Sequence, residues 1–103
     1  MIRILLKKFI RGKKHEKKPV LSIGEKAFYY DSTITALSVP YSVKIIGEYA
    51  FFNCDKLKKV EIGDSVKIID SLAFSNCNYL YDVKIGAGIQ VIEYVVFYNC
   101  SLL

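Results

Sequence analysis

The stretch from Ile46 to Cys54 reads Ile-Gly-Glu-Tyr-Ala-Phe-Phe-Asn-Cys, and its pattern returns three more times along the chain. Successive copies are 23 residues apart, as the phenylalanine column shows: Phe28, Phe51, Phe74 and Phe97. An isoleucine stands five residues before each of these phenylalanines, and a cysteine stands three residues after the last three of them. A fixed period of this length is typical of proteins built from stacked structural repeats. Residues 20–103 are therefore predicted to form four units, the last of them truncated.

Each unit combines two local patterns. The piece Leu57–Ile62 alternates apolar and polar residues and ends at Gly63, which predicts a short strand with one face inward. The piece Ile46–Cys54 has apolar residues three and four apart, which predicts one or two helical turns, α or 3₁₀. One unit alone cannot cover its apolar side, so the units must stack. Equivalent strands should then form a parallel ladder about 4.8 Å apart.

The repeat resembles the BspA-like class of leucine-rich repeat, whose unit has the form Leu-x-x-Val-x-Ile-Pro-x-Ser-Val-x-x-Ile-Gly-x-x-Ala-Phe-x-x-Cys. The segment Val39–Cys54 matches this form best, and the resemblance runs from Val20 to Leu103. Five positions depart from it: Asp70 and Glu93 replace Gly, Gly63 and Gly86 replace Pro, and Val96 replaces Ala. The resemblance implies an α/β fold, a short right-handed solenoid with a parallel β-ladder on its concave side and helical turns on its convex side. It also implies a surface-displayed adhesion or host-interaction module.

The candidate binding residues follow from the strand positions. In a leucine-rich repeat, residues between and just after the strand hydrophobes face solvent on the concave side. The residues selected on this basis are Tyr41, Lys58, Lys59, Glu61, Tyr81, Asp82 and Lys84. The alternative is a solvated sheet face with no partner. Three short strands offer far less than the roughly 800 Å² per partner of a standard interface. Either the convex column of Tyr29, Phe52 and Tyr98 also contacts the partner, or the chain oligomerises, or it is a piece of a longer array.

The cysteines and asparagines of the repeat have a structural interpretation. Cys54, Cys77 and Cys100 occupy one position of the unit and should point inward as buried, inert core thiols. Parallel Cβ vectors about 4.8 Å apart do not suit a disulfide, and a column of thiols does not converge on zinc. The asparagine before each cysteine suits a left-handed turn or a helix C-cap, with a binding role as the alternative.

Catalysis and nucleic-acid binding have little support. The single histidine, His15, precedes the repeats, and no glycine-rich phosphate loop is present. We therefore expect no enzyme activity, no cofactor and no metal. The net charge of +5 is uneven, being +7 over residues 1–18 and −2 over residues 19–103. That distribution argues against a basic nucleic-acid groove on the repeats.

The first 19 residues form a separate basic segment. Apolar residues at helical spacing, with lysines and arginines between them, predict an amphipathic helix over residues 2–14, followed by a linker over residues 15–19. Three roles remain open for the helix: capping the first coil, contacting a membrane surface or an anionic polymer, or staying disordered.

The two ends of the chain support two further expectations. Lys7 and Lys8 interrupt the run Ile4-Leu5-Leu6, so no secretory signal can be recognised, although the family resemblance implies a secreted or cell-surface protein. No polar cap follows the predicted strand Asp82–Ile85, which favours self-association through an unpaired edge. The function expected from all of this is protein binding or adhesion through the concave strands. The alternative is peripheral binding to an anionic surface through residues 2–14.

Overall fold

Each of the first three 23-residue units contributes two short strands where the sequence predicted one, and the truncated last unit contributes one strand among the described residues. The computed structural model describes residues 20–93 and 95–103. The strands of these residues are β1 (Ser22–Ile23), β2 (Ala36–Ser38), β3 (Ile45–Ile46), β4 (Lys59–Ile62), β5 (Ile68–Ile69), β6 (Asp82–Ile85) and β7 (Val91–Ile92). The chain winds as a parallel β-solenoid of about three turns.

The strands form two parallel sheets. The first sheet has the order β1-β3-β5-β7, and the second has the order β2-β4-β6. In the second sheet Leu37 pairs with Val60, and Val60 pairs with Val83, so each step along the sheet is one 23-residue unit. The first sheet keeps the same step, from Ile23 to Ile46 and onward. The predicted parallel ladder is therefore confirmed, and a second ladder accompanies it.

The phenylalanine column forms the centre of the core. The rings of Phe28, Phe51, Phe74 and Phe97 stack with centroids 5.3, 5.1 and 5.6 Å apart. Neighbouring ring planes lie within 12° of each other. The first three rings are buried, and Phe97 is half-buried. Inward-facing aliphatic side chains from both sheets pack around the column. The prediction that equivalent phenylalanines share one interior is confirmed.

The predicted α or 3₁₀ turns are wrong: residues 20–93 and 95–103 contain turns but no helix. The backbone explains the difference. Tyr49 and Asn53 have positive φ angles of 59° and 58°, which an α-helix of L-residues does not accept. The N–H of Phe51 donates to the carbonyl of Ala73 in the next coil at 2.7 Å, so it makes no helical bond. Residue Ile46, which was included in the helical pattern, belongs to strand β3.

Left-handed backbone recurs at fixed places in the unit. The residues two positions after the core phenylalanines have φ between 58° and 64°, at Tyr30, Asn53, Asn76 and Asn99. The residues two positions before them are also left-handed, at Lys26, Tyr49, Leu72 and Val95. The left-handed turn predicted for the asparagines is thus confirmed, whereas the helix C-cap does not apply.

The three cysteines are buried and form no disulfide with one another. The Sγ atoms of Cys54 and Cys77 each lie 3.2 Å from a phenylalanine carbonyl of the preceding coil, and Cys100 makes the same contact at 3.1 Å. Each thiol therefore satisfies a backbone carbonyl inside the core, as expected for structural cysteines. The amphipathic helix predicted over residues 2–14 lies outside the described residues.

Candidate functional site: the outward face of the second sheet

Alternation along the strands sends every second side chain of the second sheet outward. Strand β4 shows this most clearly, because Val60 and Ile62 are buried while Lys59 and Glu61 are exposed. We call the outward side chains of the three strands the strand face. Its members are Ala36, Ser38, Lys59, Glu61, Asp82 and Lys84.

The strand face has two rows of side chains running across the strands. The register places Ala36, Lys59 and Asp82 in the first row. It places Ser38, Glu61 and Lys84 in the second row. Neighbouring strands lie about 4.8 Å apart, so Lys59 is beside Asp82 and Glu61 is beside Lys84. The four charges alternate in sign and sum to zero, a pattern that does not suit a uniformly charged polymer.

A groove of about 370 Å³ lies on this face. All six residues of the strand face line it, together with Leu37 and Val60. The side chains of Leu37 and Val60 are buried in the core, so their backbone forms the floor between the two rows. Ala36 and Ser38 are small, which leaves the β2 end of the groove low and open. The groove can therefore accept a polar, extended chain and bind it by hydrogen bonds and charge pairs.

The structure brings four of the seven predicted residues together: Lys59, Glu61, Asp82 and Lys84. Tyr81 is exposed and directly precedes β6, and the Nζ of Lys59 lies 5.9 Å from its ring centroid, so it borders the strand face. Lys58 is exposed one residue before β4 but does not line the groove. Tyr41 is 84% exposed in the turn that follows β2 and also lies outside the groove lining.

A second surface feature was only partly identified from the sequence. The sequence predicted a convex column of Tyr29, Phe52 and Tyr98. The structure joins Tyr29 and Phe52 with Lys26, Tyr30 and Tyr49 in one cluster on the turns, and Tyr98 is exposed in the last coil. The signal in the sequence was the concentration of aromatic residues next to the core phenylalanines of the first two units. This concentration is visible in the sequence, but the contacts between the aromatic rings depend on the left-handed turns.

Within residues 20–93 and 95–103, no three His, Cys, Asp or Glu side chains are placed to hold a metal ion together. In the same part of the chain, no helix is long and apolar enough to cross a membrane.

A hydrogen bond with the Cys100 side chain, and burial, raise the pKa of Cys77 well above its ordinary value, so this thiol stays protonated at neutral pH.

Comparisons with known proteins agree with the repeat architecture. The family model described as a BspA type leucine rich repeat region (6 copies) matches residues 16–103. Among curated protein sequences, none matches the chain. A solved structure of a leucine rich cell surface protein from Faecalibacterium prausnitzii A2-165 has 37% identity and a TM-score of 0.70 over 80% of this chain. A leucine rich repeat protein of T. pallidum has 27% identity and a TM-score of 0.56 over 85% of this chain.

Both solved proteins are longer than the region they share with this chain. The match covers 23% of the F. prausnitzii chain and 52% of the T. pallidum chain. The family model, by contrast, matches well over half of this chain, in the region that contains the 23-residue units. The chain belongs to the BspA-type leucine-rich repeat family.

Proposed function

We propose that the chain is a non-catalytic protein-interaction or adhesion module that binds its partner through the strand face. The observation that carries the proposal is the groove, because it collects charged and polar side chains from three strands on a rigid ladder. Rigid presentation lowers the entropy lost on binding. Membership in the BspA-type family and the similarity to a cell surface protein support an adhesion role.

The charge pattern supports a partner of mixed charge. A groove with two cations and two anions repels neither an acidic nor a basic partner as a whole, but it fixes where each partner charge can lie. Charge patterns of this kind contribute to specificity and register more than to affinity. Tyr81, at the border of the strand face, adds apolar area with few rotatable bonds, which favours recognition.

A charge-swap variant tests the proposal. Lys59→Glu combined with Glu61→Lys keeps the net charge but replaces the two opposite-charge pairs across β4 and β6 by one acidic pair and one basic pair. The matched control is Lys44→Glu with Glu93→Lys, because both residues are exposed and neither lines the groove. Peptides of 12 residues would be selected by phage display on the unmodified chain and measured by isothermal titration calorimetry.

We expect the groove swap to weaken the selected peptides at least tenfold, about 1.4 kcal/mol, and the control swap to leave their affinity unchanged. Equal binding to both variants would show that the peptides use another surface, and the strand-face proposal would fail.

Binding to an anionic surface through residues 2–14 is a second candidate, supported by the +7 charge of residues 1–18. A cluster of basic residues near anionic lipid contributes about 1 kcal/mol per residue. Co-sedimentation of the full chain with phosphatidylserine vesicles tests it. Replacement of Lys7, Lys8, Lys13 and Lys14 by Gln should abolish the binding. No sedimentation of the unmodified chain with these vesicles would rule the proposal out.

Self-association through the last coil is a third proposal. Val91 and Ile92 of β7 are 40% and 46% exposed, and among the described residues β6 and β7 each have a partner strand on one side only. An open strand edge beside apolar side chains favours pairing with a second copy. Sedimentation velocity should show a concentration-dependent dimer that Ile92→Lys removes and Leu21→Lys, at an exposed position of the first coil, leaves intact. A monomer at every concentration would refute it.

A further inference from the structure

Four aromatic rings form one surface cluster on the turns of the first two coils, in a different part of the coil from the strand face. The cluster consists of Tyr29, Tyr30, Tyr49 and Phe52, with centroid distances between 4.5 and 6.1 Å. Tyr29 is 40% exposed and Tyr30 is 55% exposed. An aromatic side chain has on the order of 200 Å² of surface, so these two alone present roughly 200 Å² to solvent. Contiguous exposed aromatic surface of this kind marks interaction sites more often than isolated apolar residues do.

The cluster already holds a cation. The Nζ atom of Lys26 lies 5.4 Å from the ring centroid of Tyr29 and 5.8 Å from that of Tyr49. The negative face of an aromatic ring attracts an ammonium or guanidinium group at such distances. Lys26 is exposed, and its backbone is anchored by a hydrogen bond from its N–H to Glu48. The Lys26 ammonium is therefore the cation that these rings already bind. Rotation of this exposed side chain into solvent would uncover the rings of Tyr29 and Tyr49.

Tyr30 stands where the backbone favours another residue. Its φ is 59°, and the equivalent positions of the other three coils are Asn53, Asn76 and Asn99. Asparagine tolerates left-handed backbone, whereas a bulky side chain there costs conformational free energy. The ring of Tyr30 contacts both Tyr29 and Phe52. Tyr30 adopts a backbone conformation that is unfavourable for a bulky residue, and its ring completes an exposed cluster. This combination points to a use for the ring in binding.

We propose that the aromatic cluster is a docking surface for an arginine-bearing segment of a protein partner, whose guanidinium displaces the Lys26 ammonium from the rings. A guanidinium is planar and more weakly hydrated than an ammonium, so it stacks on aromatic faces at a lower desolvation cost. The tyrosine hydroxyls at the edge of the cluster can hydrogen-bond the partner's backbone. Lys26 lowers the affinity of the cluster for the partner, because the partner's cation must displace the Lys26 ammonium from the rings.

Peptide titration of the full chain tests the proposal. The probes are Gly-Arg-Gly-Arg-Gly, the same peptide with lysine, and the same peptide with citrulline, which keeps the shape of arginine without its charge. The readout is the ring resonances of ¹³C-labelled tyrosine. We expect saturable shifts of Tyr29, Tyr30 and Tyr49, with the arginine peptide binding about twofold to fivefold more tightly than the citrulline peptide, the factor that one exposed cation–π contact supplies.

Three variants give the proposal its sharpest test. Lys26→Met removes the resident cation and should raise the affinity for the arginine peptide by about twofold to fivefold. Tyr30→Asn should weaken binding while the melting temperature stays level or rises, because asparagine fits the left-handed backbone. Tyr79→Leu is the matched control, since Tyr79 is also 55% exposed and lies outside the cluster; it should leave binding unchanged.

Several outcomes would overturn the proposal. Equal affinity for the arginine and citrulline peptides would show that the cation is not recognised. An equal loss of binding in Tyr30→Asn and Tyr79→Leu would show that the effect does not belong to the cluster. A dimer that Tyr30→Asn dissociates would assign the surface to a second copy of the chain. Loss of arginine-peptide binding in the strand-face swap of Lys59 and Glu61 would assign the peptide to the strand face and not to the cluster.

Discussion

The third coil and the last coil place the same residue types at the same positions of the repeat, yet their burial differs. Ile69 in β5 is fully buried, whereas its register partner Ile92 in β7 is 46% exposed. In the second sheet the same difference separates the second coil from the third: Ile62 of β4 is buried, whereas its partner Ile85 of β6 is 38% exposed. The local sequences are alike, so the difference in exposure depends on whether a following coil covers the side chain. Among the described residues, no strand follows β6 or β7 in its sheet. In a solenoid, a side chain is buried by its neighbouring coils as much as by its own.

This comparison has an energetic consequence. Free energy gained by burial scales with the apolar area removed from water, so equivalent positions of inner and outer coils should contribute unequally to stability. An inner coil contacts two neighbours, and the last coil contacts one among the described residues. The three predictions below are ordered from the largest expected effect to the smallest.

The largest expected effect is the loss of an inner phenylalanine. Phe74 stacks on Phe51 at 5.1 Å and on Phe97 at 5.6 Å, whereas Phe97 stacks on Phe74 alone among the described residues. We expect Phe74→Ala to lower the free energy of unfolding by about 3–5 kcal/mol. Phe97→Ala should cost roughly half of that, because the ring is half-buried. Urea denaturation monitored by circular dichroism measures both. Equal losses would contradict the idea that neighbouring coils decide burial.

A second prediction concerns pH and the inner thiol Cys77. Its hydrogen bond with the Cys100 side chain, and burial, raise its folded-state pKa above the unfolded value of about 8.5. The unfolded chain therefore loses this proton at a lower pH than the folded chain does. The contribution of Cys77 to stability is therefore present in full below pH 8.5 and falls as the pH rises above it. The same contact lowers the pKa of Cys100 to about 7, so the contribution of Cys100 rises between pH 7 and 8.5 and is constant above that.

The control for this prediction is Cys77→Ala. That variant is less stable at pH 7 because it leaves a cavity, but its stability should depend less on pH between 8.5 and 10 than that of the unmodified chain. Parallel pH profiles for the two proteins would show that Cys77 is not the group responsible.

The smallest of the three effects separates two glycines at one position of the unit. A Cβ on Gly47 would lie 2.8 Å from the Gly24 carbonyl carbon and from the Ile23 oxygen, whereas a Cβ on Gly24 would meet nothing within 4 Å. We expect Gly47→Ala to cost about 1–3 kcal/mol through overpacking between coils. Gly24→Ala should be neutral or stabilising by up to about 1 kcal/mol, because it restricts the unfolded chain. Thermal melting of the two variants is the measurement, and equal shifts would show that the coils are not in close contact there.

Much of the fold could be predicted because the repeat is visible as aligned columns. The spacing of Phe51 and Phe74 predicted a shared interior, and the alternation of Val60 and Ile62 predicted an outward strand face. Both inferences depend only on the period of the sequence and on the two-residue period of a strand. The same alternation identified Lys59 and Glu61 as outward residues, which the structure places in the groove.

The turns could not be predicted from the same columns. Apolar residues three and four apart from Ile46 to Cys54 fit a helix, but they also fit a series of tight turns that repeatedly place side chains inward. The turns are stabilised by hydrogen bonds to the next coil, such as Phe51 N–H to Ala73 C=O, and those bonds exist only after stacking. The strands of the first sheet have two residues each, which is too short to show alternation. Tyr41 lies in a turn outside the groove lining, and its role in binding stays a prediction.

The sequence by itself determined the repeat, the parallel register and the identity of the inward side chains, because each of these follows from a 23-residue period in apolar residues. Only the tertiary structure decided which copies of those side chains are covered, how the turns are bonded, and which surface residues meet. The physical reason is that these three properties arise between coils. A strand face, a groove and an aromatic cluster appear only when residues 23 positions apart are brought to about 5 Å from one another.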